Sequence, residues 1–183
     1  MKFKSGLARR NPGFSLIELL VTIAIAGVLL AIAVPSMTQF LDSTAIRSAC
    51  SELTDSIGLA RAEGIRRSAP INQLVYFGRS CSGTYNDGWM VFLDADGDKC
   101  YGTGDTLITR SNPPSRGVTV ASVLTNSSST SVGYIGFNGA GLTRESGSNN
   151  FVSGSFTCSI AGSSAPQITV TISALGRVRQ SAI

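Results

Sequence analysis

From Phe14 to Val34 the chain is an almost unbroken apolar run of 21 residues. Wound as a helix, that run measures about 31 Å, enough to cross the hydrocarbon core of a bilayer. It holds one charge, Glu18. A carboxylate in the first turn of a membrane helix is unfavourable by roughly 2.5 to 3.5 kcal/mol on insertion scales, so Glu18 requires a partner that offsets it.

A secretory signal peptide is one reading. Lys2, Lys4, Arg9 and Arg10 form a basic leader, and Ala31-Ile32-Ala33 mimics a small-residue cleavage site. Against it, the run exceeds the roughly 7 to 15 residues of such a segment and carries an acid early in its apolar core. A plain N-terminal anchor helix is a second reading.

A third reading accounts for the acid. Gly13-Phe14-Ser15-Leu16-Ile17-Glu18 resembles the processing signal of type IV pilins and type II secretion pseudopilins. The resemblance implies a prepilin peptidase cutting between Gly13 and Phe14, N-methylation of Phe14, and assembly in which Glu18 meets the new N-terminal ammonium of a neighbouring subunit. Opposite charges 4 Å apart gain only about 1 kcal/mol in water and far more in lipid, so such a pair would set subunit register. Pro35 falls where the family usually has a helix-kinking proline.

Composition bounds the remainder of the chain. A protein of 183 residues has room for a leader, one long helix and one globular domain. The formal charge of +4 misleads: four of the fifteen basic residues precede the proposed cut, leaving eleven against eleven acids. Overall basicity therefore argues for no nucleic-acid partner, and only local clustering can. The leader's positive charges hold the N-terminus in the cytoplasm and send everything after Pro35 outward. The pilin resemblance implies an inner-membrane anchor with the globular part first periplasmic and then in a pilus.

Cys50, Cys81, Cys100 and Cys158 suit an oxidising compartment and allow three pairings. Cys81 with Cys100, closing a small loop around the Trp89 strand, and Cys50 with Cys158 is the favoured expectation. Zinc is disfavoured, since no CxxC pair and no histidine are present.

After Pro35, Phe40, Leu41, Ala45, Ile46, Ala49, Cys50, Leu53, Ile57, Leu59 and Ala60 recur at three- and four-residue spacing, predicting one helix to about Arg67, ended by Pro70. Short β-branched and aromatic runs come next. Strands are expected over 71–77, 88–93, 106–110, 118–123, 132–137, 151–160 and 167–174, with mobile loops over 125–131 and 145–150. The fold class is α+β, pilin-like, a long N-terminal helix followed by an antiparallel sheet domain. The expected organisation is a leader over 1–13, a membrane and assembly helix over 14–35, an amphipathic helix over 36–68, and a β-rich domain over 69–183 with a C-terminal tail.

The run Asp87-Gly88-Trp89-Met90-Val91-Phe92-Leu93-Asp94-Ala95-Asp96-Gly97-Asp98, the Phe137-Asn138-Gly139-Ala140-Gly141 turn and the terminal Gly-Arg resemble minor subunits of the FimT and GspH type. Asp94, Asp96 and Asp98 alternate like calcium ligands. A calcium loop, however, wants glycine sixth and glutamate twelfth, where this chain has Lys99 and Asp105. A turn of solvated carboxylates is the favoured reading and calcium the alternative.

Catalysis finds little support. There is no histidine, no GxSxG elbow and no phosphate-cradling glycine loop, and Lys99 is the sole lysine beyond the cut. No enzyme activity, cofactor or small-molecule substrate is expected.

Residues 106 to 183 hold Arg110, Arg116, Arg144, Arg177 and Arg179 against one acid, Glu145. Five acids lie between Asp87 and Asp105, so the domain is electrically lopsided. Arg177 and Arg179 could pair with acids of a neighbouring subunit at a strand end. Gly176-Arg177-Val178-Arg179 also matches the Gly-Arg-X-Arg element of FimT-type minor pilins, which implies DNA binding during natural transformation. Period-two spacing in an extended tail aims both forks at one phosphate backbone, and Gly176 is expected to let the chain turn toward it. Arg144 and Arg116 are weaker candidates. The partners implied are other pilins, prepilin peptidase, the inner membrane and DNA; a purely structural GspH-like pseudopilin and a pilus-tip adhesin are the rivals.

Overall fold

A computed structural model describes residues 13–183, the side chains of Ala33 and Pro35 excepted. Save for Gly13, the leader lies outside the described residues. One helix, α1, runs Leu16–Arg66, and the chain divides into two compact units between Thr38 and Gln39.

In the first unit the described apolar side chains are exposed throughout, Phe14, Leu16, Ile23, Leu29 and Ile32 among them. The segment is long and apolar enough to cross a membrane. Pro35 lies within α1.

In the second unit α1 buries one face. Ala45, Ile46, Ala49, Cys50, Leu53, Ile57 and Ala60 are all buried, as spacing of three and four demands of a stripe one helix wide, whereas Phe40, Leu41 and Leu59, expected on the same face, are exposed. The helix stops short of Pro70. Ser68 takes a left-handed conformation (φ 49°), and the Ala69 N–H donates to the Gly64 carbonyl at 3.0 Å. These bonds satisfy carbonyls that the last turn leaves open, so the proline follows a helix that has already been capped.

Nine strands complete the domain: β1 Val75–Gly78, β2 Met90–Leu93, β3 Thr106–Arg110, β4 Val118–Asn126, β5 Tyr134–Phe137, β6 Thr143–Arg144, β7 Val152–Ile160, β8 Ile168–Ile172 and β9 Val178–Ala182. They form two antiparallel sheets, ordered β3-β2-β1-β5-β6 and β4-β7-β8-β9. β6 and β9 are strands that the sequence pattern does not predict.

The core joins α1 to both sheets. Phe77, Tyr85, Trp89 and Phe156 cluster, with Tyr85 and Phe156 edge to face at 5.0 Å between ring centres. Each such ring fully buried contributes about 1.5 to 3 kcal/mol. Their polar tips are also satisfied, since the Trp89 indole donates to Ser56 Oγ on α1 at 3.0 Å and the Tyr85 hydroxyl to the Gly133 carbonyl at 3.0 Å. Both disulfides are the favoured ones. Cys50–Cys158 ties α1 to β7, and Cys81–Cys100 closes the segment that carries Trp89.

The two segments expected to be mobile are pinned instead. Asn126 is buried, and its side-chain carbonyl accepts the Ser128 and Thr130 N–H groups at 3.0 and 2.9 Å. Its amide donates to Glu145, which also accepts from Asn150 and sits 3.6 Å from the Lys99 ammonium. Those hydrogen bonds, the one from Asn150 first, hold the Glu145 carboxyl below the usual glutamate range.

Candidate nucleic-acid interface and acidic loop

β8 and β9 are joined by a tight hairpin. The Gly176 N–H donates to the Ser173 carbonyl at 2.8 Å, and the Arg177 N–H to Ser173 Oγ at 3.2 Å. β9 then pairs with β8, Arg179 opposite Thr171 and Val178 opposite Ile172. Ile172 is buried and Val178 packs on the core, so the side chains of Thr171 and Arg179 belong to the other, exposed face.

Gly176 is required here, though for a reason other than freedom to turn toward a ligand. Its φ is 71°, and a Cβ there would overlap the Gly141 carbonyl oxygen and stand 3.1 Å from Arg61 Nε. The hairpin thus docks, backbone against backbone, on the turn that carries Gly141. Arg61 of α1 seals the junction by donating from Nε to the Gly141 carbonyl at 3.0 Å.

A cleft of about 640 Å³ opens beside that junction, lined by Arg61, Thr171, Ser173, Arg177, Val178 and Arg179. Arg177 and Arg179 are exposed, and among the described residues neither guanidinium has an ion-pair partner. Among the described residues, three cations and two hydroxyls line the space, with no carboxylate. Such a surface can bind an anion through charge-assisted hydrogen bonds.

The other two arginines are engaged elsewhere. Arg116 pairs with Asp42 at 2.8 Å, holding the Asp42 carboxyl below its usual range together with Ser163. The Arg144 guanidinium lies 3.6 Å over the Phe151 ring and donates to the Asn149 carbonyl. Neither lines the cleft. Sequence reasoning missed Arg61, because only the fold brings α1 alongside the hairpin.

The acidic loop closes on itself. Asp94 is buried and accepts the Gly97 and Lys99 N–H groups at 2.8 and 3.2 Å. Asp96 accepts from Asp98 N–H, Asp98 from Cys100 N–H, and Asp105 from Ala95 and Gly102 N–H. One ligand atom from each of Asp94, Asp96, Asp98 and Asp105 lies within 4.8 Å of the others, so the four carboxylates could hold a hard divalent cation through oxygen. Burial pushes the Asp94 carboxyl above its ordinary range, against the opposing pull of the two backbone donors.

The family model described as type II transport protein GspH matches residues 49–176. The chain belongs to the GspH family. A prokaryotic N-terminal methylation motif matches residues 8–34, the stretch that contains Gly13, Phe14 and Glu18. No curated protein matches this GspH-family chain. Two crystal forms of the type IV minor pilin FimU of Pseudomonas aeruginosa (strain PAO1) align at 14% identity with TM-scores of 0.53 and 0.50. They cover 79% and 75% of this chain and 96% of the FimU chain in each case. The helix followed by antiparallel sheets is accordingly a pilin-like α+β fold, and the chain is a minor pilin or pseudopilin of the GspH and FimT type. Its apolar N-terminal helix and methylation motif suit membrane anchoring of a globular domain.

Proposed function

We propose that this subunit is a minor type IV pilin whose cleft beside Arg177 and Arg179 contacts DNA without sequence preference, in the manner needed for DNA uptake. Prepilin peptidase cuts it between Gly13 and Phe14, and Phe14 is N-methylated. Glu18 then meets the terminal ammonium of a neighbouring pilin, and the globular part passes from the periplasmic side of the inner membrane into the pilus. Its role is binding and assembly, not catalysis.

The observation that supports the DNA reading is the pair of exposed guanidiniums, free of any described carboxylate, lining a cleft with Thr171 and Ser173. Arginine forks grip phosphate oxygens in two places, and a few such contacts give weak, salt-sensitive binding. Full-length protein in non-ionic detergent should retard a labelled duplex at low salt, and an Arg177→Ala, Arg179→Ala variant should not. A double variant that binds like the parent would end this assignment. The description of the matching family as a type II transport protein favours a second reading, a structural pseudopilin of a secretion system. That reading predicts no retardation by either protein.

A further inference from the structure

We infer that Arg61 is a third DNA-contacting residue, the pre-organised one, and that the group the cleft takes is a backbone phosphodiester rather than a base. The inference rests on the DNA reading above and adds a residue 116 positions from Arg177 in sequence.

Arg61 leaves α1 half-buried, and its Nε–H is committed to the Gly141 carbonyl at 3.0 Å. That bond fixes the plane of the fork. Gly141 and Gly176 supply the room: both have φ of 71°, and a Cβ on either would stand 3.1 Å from Nε. Both terminal nitrogens are left without a described partner, and they belong to a side chain that lines the cleft with Arg177 and Arg179.

Among the described residues no acid pairs with this charge. Glu63, two residues along α1, is held by Arg66 at 2.6 Å and Arg67 at 2.9 Å, and Arg61 has no ion pair among the described residues. A partly desolvated cation without a counterion is a receptor for one. Because its fork is already fixed, Arg61 loses less side-chain entropy on binding than the exposed Arg177 and Arg179.

The remaining lining says which anion fits. Thr171 and Ser173 add hydroxyl donors, and among the described residues no aromatic ring lines the cleft. Recognition of unstacked bases relies on aromatic platforms, whereas phosphate contacts need only donors and positive charge. A phosphodiester of the nucleic-acid backbone meets all three arginines with oxygen acceptors alone.

The test is fluorescence anisotropy of the full chain in non-ionic detergent with a labelled duplex, repeated over a salt series, for the parent, Arg61→Ala and Arg61→Lys, with a melting curve for each. Arg61→Ala should weaken binding about tenfold at low salt and flatten the slope of log affinity against log salt by about 0.9, one phosphate contact. Arg61→Lys should keep the slope and still bind several-fold more weakly, because charge survives while the fixed fork is lost. A merely structural role would lower the melting temperature and leave the slope alone. Unchanged affinity and slope in both Arg61 variants, with binding lost in the Arg177 and Arg179 double variant, would overturn this inference and leave the DNA reading standing. Failure of the parent to bind at any salt would overturn both.

Discussion

The acidic loop and the arginine cleft carry opposite charge, and they differ more deeply in where that charge is satisfied. Each of Asp94, Asp96, Asp98 and Asp105 accepts at least one backbone N–H from its own loop. By contrast, Arg177 and Arg179 face a cleft with no described acid, and Arg61 gives one bond to the fold and keeps the rest of its fork free. The carboxylates have backbone donors within their own loop, and the cleft guanidiniums keep donors with no described acceptor.

The largest expected effect breaks the loop. Asp94→Ala removes the acceptor of two backbone donors from a buried position, a loss of about 2 to 3 kcal/mol. That should lower the melting temperature by roughly 5 to 10 °C. Duplex binding below the transition should be unchanged. The Arg177 and Arg179 double variant should show the reverse pattern, a parental melting curve with binding lost. If Asp94→Ala melted like the parent, the loop's bonds would not be holding the fold.

A smaller effect separates the regions by pH. Hydrogen bonds from Arg66 and Arg67 hold Glu63 at about 2, and Glu145 and Asp42 are also lowered. Carboxyls whose folded values lie below the unfolded ones stabilise the fold above about pH 4.5 and lose that contribution as pH falls toward 2. Asp94 has the opposite sign: its raised value favours the fold in acid and offsets part of the loss. A melting series from pH 7 to 3 should therefore decline by a few degrees, mostly below pH 4.5. Duplex affinity should stay flat between pH 5 and 8, because guanidinium does not titrate there. Melting temperatures that climbed steadily on acidification would contradict these assignments.

How far the sequence revealed this molecule depended on whether the deciding contact was local. The stripe from Ala45 to Ala60 is a property of one helix, and the Thr106–Arg110 strand of one β-branched run, so both are found where the pattern puts them. β9 carries a single β-branched residue in Val-Arg-Gln-Ser-Ala and is a strand because β8 pairs with it. β6 spans only Thr143–Arg144, too short for any period to register. The serine-rich segment reads as a loose loop because composition cannot show that one buried Asn126 side chain ties it down. The cysteines were legible in number and in the pairing favoured. Within the cleft, Arg177 and Arg179 announce themselves by their spacing, whereas Arg61 has no sequence signal at all. Only the docking of two glycine-bearing turns against α1 brings it there.

Arginine footprinting puts the central claim to its most direct test. Phenylglyoxal labels accessible guanidiniums, and peptide mass spectrometry of the full chain in detergent, with and without saturating duplex at low salt, reads each site separately. Duplex should protect Arg61, Arg177 and Arg179 and leave Arg116, paired with Asp42, and Arg66, paired with Glu63, as reactive as before. Equal labelling of the three cleft arginines with and without duplex, or protection centred on Arg116 or Arg144 instead, would contradict the account.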